Sequence, residues 1–269
     1  MSAEAAAYDP SQAPQRGHDN PALNAQAFQR GIAAAPAAER AGMTVTGTYV
    51  KTGFLLVLLI AAGAFGWSQV EIRTINGQEI AIQPTWTWLA ILLTLVFGFA
   101  GIFAFQWIPL LAIGYALSEG ALLGIAAHAF DLEWDGIVLQ AIVATIAVFT
   151  ATLLLYGTGV IKVTSKLAMG VAIAMGGLLV LWTTTWLLSL FGLDFSFWSE
   201  PSPWGIGLSV LIVILAALNL PLDFAFIERS AAAGAPKQLE WYGAFGLMLS
   251  IIWMYVAILR LLALLRASQ

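Results

Sequence analysis

From Lys51 onward the chain alternates between long apolar runs and short polar breaks. Seven runs stand out, over 52–70, 86–106, 109–129, 136–156, 167–191, 204–226 and 241–265. A helix needs roughly 20 apolar residues to cross a hydrocarbon core about 30 Å thick, and each run has about that length. The breaks carry turn formers: Asn76-Gly77, Pro84, Pro109, Asp135-Gly136, Gly157-Thr158-Gly159, Pro201-Ser202-Pro203 and Gly234-Ala235-Pro236. The runs lack the alternation of lumen and lipid faces that a membrane barrel requires, so spanning strands are excluded. The pattern predicts an all-α polytopic membrane protein, a bundle of seven transmembrane helices over 49–269.

Residues 1–48 read differently. They are rich in Ala, Pro, Gln, Arg and Asn, and offer little beyond Tyr8, Leu23 and Phe28 to bury. Such a segment cannot offset its ordering entropy, which predicts a flexible cytoplasmic tail. It lacks the early basic region and apolar stretch of a signal peptide.

Composition sharpens the division. The 269 residues carry 26 charges, 11 basic and 15 acidic, and seven of the 26 fall in 1–48. The remaining 221 residues have 19 charges to cover their surface, against about a quarter charged in a soluble domain. The whole chain is 60% apolar with a mean hydropathy of +0.87, so its charge-poor part must dissolve in lipid. There is no cysteine, and the two histidines are His18 and His128, so thiolate chemistry and His-rich metal sites are excluded. A net charge of −4 without a basic run makes nucleic acid an unsuitable partner. Protein partners are not legible.

Lys and Arg in short loops set orientation. The segment before the first run and the breaks after even-numbered runs hold Arg40, Lys51, Lys162, Lys166, Arg229 and Lys237. Breaks after odd-numbered runs hold only Arg73, among Glu71, Glu79, Asp131, Glu133, Asp135, Asp194 and Glu200. The N-terminus is therefore expected in the cytoplasm and the C-terminus, after seven crossings, outside a bacterial plasma membrane. Trp67, Trp86, Trp88, Trp107, Trp134, Trp198, Trp204 and Trp241 fall near predicted span ends, as in an interfacial belt.

An ionisable residue inside a span is costly unless paired or facing a cavity, which makes it a functional candidate. Glu119 lies near the middle of the third run, beside Gly120-xxx-Gly124, a spacing that lets another helix approach closely. It reads either as a proton-sensing carboxylate or as a protonated or Arg-paired structural one. Asp223 lies in the sixth run, one turn after Asn219, with Pro221 between them. Proline cannot bond the carbonyl of Ala217, so a freed carbonyl, an amide and a carboxylate gather within two turns. That set suits a proton or a hard cation, and the alternative is a capping aspartate at a fraying end with Glu228 and Arg229 already in water. Arg260, in the last run, either snorkels to the interface or reaches inward to an acid such as Glu119. His128, beside Asp131 and Glu133, reads as satisfied at an interface.

These residues resemble the transmembrane Bax-inhibitor-motif family, that of Bax inhibitor-1. The likeness is carried by the seven-run pattern, by Glu119-Gly120-x-x-x-Gly124, by Leu222-Asp223-Phe224 with Ile227, and by Ala244-Phe245-Gly246-Leu247 through Arg260. It covers roughly 49–265. The resemblance implies a pH-sensitive calcium leak in which aspartates of the sixth and seventh helices share a proton beside a basic latch. By position the sixth-helix aspartate is Asp223, and Ser250 stands where the seventh-helix aspartate belongs. The latch arginine near the end of the second helix is also missing, the stretch reading Phe105-Gln106-Trp107, whereas Arg260 matches the basic residue of the last helix.

Two close carboxylates cannot both ionise cheaply and so share a proton. A lone Asp223 lacks that coupling, apart from any influence of Glu228 or Glu240. Calcium prefers six to eight oxygens and more than one carboxylate, so Asp223, Asn219, Ser250 and carbonyls would form a weak site. The expectation is a leak gated by protonation of Asp223 and Glu119, with Asn219, Pro221, Glu228, Ser250 and Arg260 in support. Calcium or the proton is the ion carried or sensed, and no organic cofactor is implied.

Rival classes fare worse. All four lysines lie in or beside loops, so a retinal Schiff base has no site. No His-Glu-x-x-His or Gly-x-Ser-x-Gly occurs, and Asp223 is the one aspartate well inside a run, which argues against an enzyme. A carrier would show an internal repeat. The remaining alternative is a non-conducting membrane regulator or interaction protein. A polar path from Glu119 toward Asp223 would favour transport, and acids tied within a dry bundle would favour the regulator.

Overall fold

The computed structural model describes residues 42–75, 78–192 and 201–269, with the side chains of 75–79 excepted. Most of the predicted tail, including Arg40, lies outside the described residues, as do the Asn76-Gly77 turn, Asp194, Trp198 and Glu200. Seven α-helices are present among those described: α1 Val45–Ser68, α2 Thr87–Phe103, α3 Ile108–Glu133, α4 Ile137–Gly157, α5 Ser165–Leu190, α6 Pro203–Ala232 and α7 Leu239–Ala267. All but α2 are long and apolar enough to span a bilayer.

The helix ends follow local chemistry. Thr44 caps α1, its side chain accepting from Gly47 N–H at 3.0 Å, so the helix starts seven residues before the predicted run. A lysine ends an apolar stretch, so the pattern alone places the start of the run at residue 52. In the fold Lys51 is neutralised by Glu240 of α7, and the helix passes through it. At its other end α2 stops where Ala104 turns to φ −96°, ψ 63°, and a 3₁₀ turn over Phe105–Trp107 leads into α3 with Pro109 in its first turn. With 17 residues α2 rises about 25 Å, at the short limit for a span. Thr164 and Ser202 cap α5 and α6 in the same way as Thr44 caps α1.

One element was not predicted. Between α1 and α2 the chain forms an antiparallel hairpin, β1 Glu71–Ile75 with β2 Gln78–Ile82, in register Glu71↔Ile82 through Ile75↔Gln78. The excluded strands were spanning ones; this hairpin lies in a loop, and its exposed Arg73 pairs with Glu71 at 2.9 Å.

The last helix is the axis of the bundle. α7 packs against α6, α1, α4 and α3, whereas α5 lies on the outside against α6 and buries only Val171. Large apolar side chains such as Trp88, Leu92, Phe99, Ile146, Ile173 and Trp186 face outward. A water-soluble protein would not present so extensive an apolar surface, and lipid is the solvent that accepts it. The chain enters and leaves at opposite ends. Met43 N–H donates to the carbonyl of Ala235, and Gln238 reaches that of Gln106, which puts the α1 start, the α2–α3 turn and the α6–α7 turn together. At the far end Trp67 meets His128, Trp86 stacks on Phe65, and Arg266 bonds Gln140 at 3.3 Å.

Candidate functional site

Two helices build the polar centre of the bundle. On α6, Asn219 and Asp223 are one turn apart and face α7, where Ser250 projects between them. The Asn219 amide donates to Ser250 Oγ at 2.9 Å and to Asp223 Oδ2 at 3.3 Å. The Ser250 hydroxyl donates to the same Oδ2, and the Gly246 carbonyl oxygen lies 3.3 Å from Ser250 Oγ. The result is a directed chain from amide to hydroxyl to carboxylate, in which each bond polarises the next.

The node is buried, with Asp223 1% exposed, Ser250 2% and Asn219 4%. Leu220, Leu222 and Phe224 surround it in sequence, and the Phe224 ring anchors an aromatic cluster with Tyr49, Phe149 and Tyr156. The reading of Asp223 as a capping residue at a fraying end is therefore wrong. α6 runs on to Ala232, nine residues past it, so the helix does not fray at Asp223, although Glu228 and Arg229 are exposed beyond it. Pro221 sits inside this unbroken helix.

The other predicted site residues lie elsewhere. Glu228 is exposed and accepts the Tyr156 hydroxyl at 2.5 Å, so it is engaged away from Asp223. Glu119 is half-buried on α3, and among the described residues no hydrogen bond or ion pair joins it to Asp223 or to Arg260. Its neighbours explain its position. A Cβ on Gly120 would lie 2.3 Å from the carbonyl oxygen of Leu59, and one on Gly124 would lie 1.9 Å from that of Gly63. The predicted close approach is thus to α1. Arg260 is half-buried on α7, and among the described residues no ion pair joins it to Glu119. His128 stacks on Trp67 with ring centroids 4.6 Å apart, its Nδ1 3.0 Å from the Trp67 carbonyl oxygen, as expected of a satisfied interface histidine.

A second buried acid was missed as a site. Glu240, 1% exposed in the first turn of α7, pairs with Lys51 and accepts from both the backbone N–H and the hydroxyl of Thr44 at 2.9 Å. It closes the start of α1 onto the start of α7, and a Cβ at Gly47 would lie 2.5 Å from its carboxylate. Each member taken alone is ordinary at a helix end, and nothing local couples positions 189 apart.

Chemically, the node offers one carboxylate, one hydroxyl and one amide, too few for a strong calcium site but enough to hold or release a proton. Among the described residues no three His, Asp or Glu side chains converge to hold a metal ion.

Comparison with known proteins gives one result. A family model described as Bax inhibitor 1 like matches residues 15–267, reaching further toward the N-terminus than the 49–265 covered by the motifs. No curated protein and no solved structure matches. With seven helices in the expected order, an aspartate buried at the α6–α7 interface and a match over nearly the whole sequence, the chain belongs to the Bax inhibitor 1-like family.

Proposed function

We propose that this membrane protein is a pH-sensitive cation leak, with calcium as the favoured ion, in a plasma membrane whose cytoplasmic side faces the α1 start. The observation that supports the reading is Asp223, buried at the α6–α7 interface and held across it by Ser250. An ionised Asp223 receives that hydroxyl as a charge-assisted bond, worth about 1.5–3 kcal/mol against about 0.5–1.5 for a neutral one. Protonation therefore weakens the Ser250 tie from Asp223 to α7 by roughly 1–1.5 kcal/mol. Pro221, two residues away, leaves the helix without one of its own bonds at the place where α6 would have to bend. Acid loosens the interface, and the leak opens on acidification.

Ser250 makes this a one-carboxylate device. A serine carries no charge to share, so the pH response rests on Asp223 alone rather than on a coupled pair. Glu119, apart from the node, is a second proton-sensing carboxylate in this reading.

A second reading has an observation in its favour. Each fully buried acid, Asp223 and Glu240, is bonded inside the fold, as expected of structural pairs in a non-conducting regulator. Calcium flux into proteoliposomes at acidic and alkaline pH separates the two. Flux that rises with acid, and becomes independent of pH in Asp223→Asn, is the expected result. Flux no greater than that of empty liposomes at either pH would overturn the leak and leave the regulator.

A further inference from the structure

At the end of the bundle where α4 stops and α5 begins, a cleft of about 370 Å³ opens between the 158–164 loop and the last turns of α6. Its lining includes Tyr156, Lys162, Val163, Ala225, Glu228 and Arg229. Two cations and one acid face it, a formal net charge of +1. Glu228 accepts the Tyr156 hydroxyl at 2.5 Å, while among the described residues neither Lys162 nor Arg229 enters an ion pair. Arg229 makes one long bond, 3.4 Å, to the Val163 carbonyl across the mouth, which holds the guanidinium at the cleft and leaves its other N–H groups available to a ligand.

We propose that this cleft binds a phosphate group, through the Arg229 guanidinium and the Lys162 ammonium. A planar guanidinium offers paired donors that match phosphate oxygens, and the ammonium adds a mobile point charge. The cleft lies where the apolar spans α4 and α5 meet the aqueous phase, the depth of lipid headgroups. A headgroup phosphodiester and a free phosphate share the recognising chemistry. The site does not depend on the leak: it concerns Lys162 and Arg229, not Asp223.

The test uses the purified full chain in a neutral detergent, with native mass spectrometry and thermal unfolding as readouts. The probes are dioctanoyl phosphatidylglycerol, dioctanoyl phosphatidylcholine and inorganic phosphate. The wild type is expected to retain phosphatidylglycerol about tenfold better than phosphatidylcholine, with that preference lost in Lys162→Gln and in Arg229→Gln and kept in Lys237→Gln. Arg229→Lys, which keeps charge but loses the fork, should recover part of it. A rise in Tm with inorganic phosphate, sensitive to the same two substitutions and without lipid preference, assigns the site to a free anion. No retained ligand, or retention indifferent to both substitutions, overturns the proposal. Lys162 is exposed in a loop, so Lys162→Gln decides the matter even if Arg229→Gln fails to fold.

Discussion

Ser250 sits 27 residues after Asp223 and donates its hydroxyl to that carboxylate inside the membrane domain. Replacing it with alanine removes the hydroxyl that Asp223 accepts and the oxygen that accepts from Asn219, a loss of about 1–3 kcal/mol. We expect Ser250→Ala to lower Tm in detergent and to weaken the pH dependence of flux; a Tm unchanged from wild type would mean the bond contributes nothing. Ser250→Asp should instead restore a coupled pair and broaden the pH profile into two steps, because two carboxylates so placed titrate together. Glu240 carries a different prediction. Glu240→Gln keeps an acceptor for Thr44 but strands Lys51, and breaking a buried pair costs about 3–5 kcal/mol. Lys51 keeps 20% of its side chain exposed, so the loss belongs at the low end. The double variant Lys51→Met, Glu240→Gln should recover part of it, and simple additivity of the two changes would show that the pair is not coupled. The sequence made Asp223 and Asn219 legible, because i, i+4 spacing fixes a shared face. It left Glu240 unread, since its partners come from the far end of the chain.

At the scale of elements, the α1–α3 contact is the tightest in the fold and the most predictable in kind. Gly120 and Gly124 announced a close approach through their spacing, but the approaching helix was not legible, because spacing on one helix says nothing of which neighbour fills it. A methyl at Gly124 would collide with backbone, which cannot swing aside as a side chain can. Gly124→Ala should therefore exceed the usual overpacking cost of about 1–3 kcal/mol and prevent folding or lower Tm steeply. Gly157→Ala, where a Cβ meets nothing, is the matched control. On α6, Pro221→Ala returns a backbone N–H to the helix interior. We expect a higher Tm and reduced flux at acid pH if the proline is where α6 gives way; equal flux would place the yielding point elsewhere. The hairpin escaped notice for a reason of scale. Strands of five residues are too short to carry the 20-residue apolar signal that marks a span.

For the molecule as a whole, the arrangement of ends is the part of the fold that lipid solubility and loop charge predict together. Met43 lies with Ala235, and Gln238 with Gln106, at one end; Arg266 lies with Gln140 at the other. Lys51, Lys162, Lys166, Arg229 and Lys237 gather toward the first end, Asp131, Glu133 and Asp135 toward the second, and by the positive-inside bias we expect the first end to face the cytoplasm. Because the chain has no cysteine, each single substitution gives one labelling site without background. An impermeant maleimide added to intact cells should label Ser268→Cys, at the C-terminal end, and spare Thr158→Cys until the membrane is broken. Both residues follow directly on helix ends, α7 and α4, and both are exposed. Labelling of Thr158→Cys alone would invert the orientation and put the phosphate cleft outside the cell. Labelling of both from the same side would require an even number of crossings between them. That would leave one of α5, α6 and α7 lying in the membrane without traversing it, and α5, which buries a single side chain, is the helix such a result would indict.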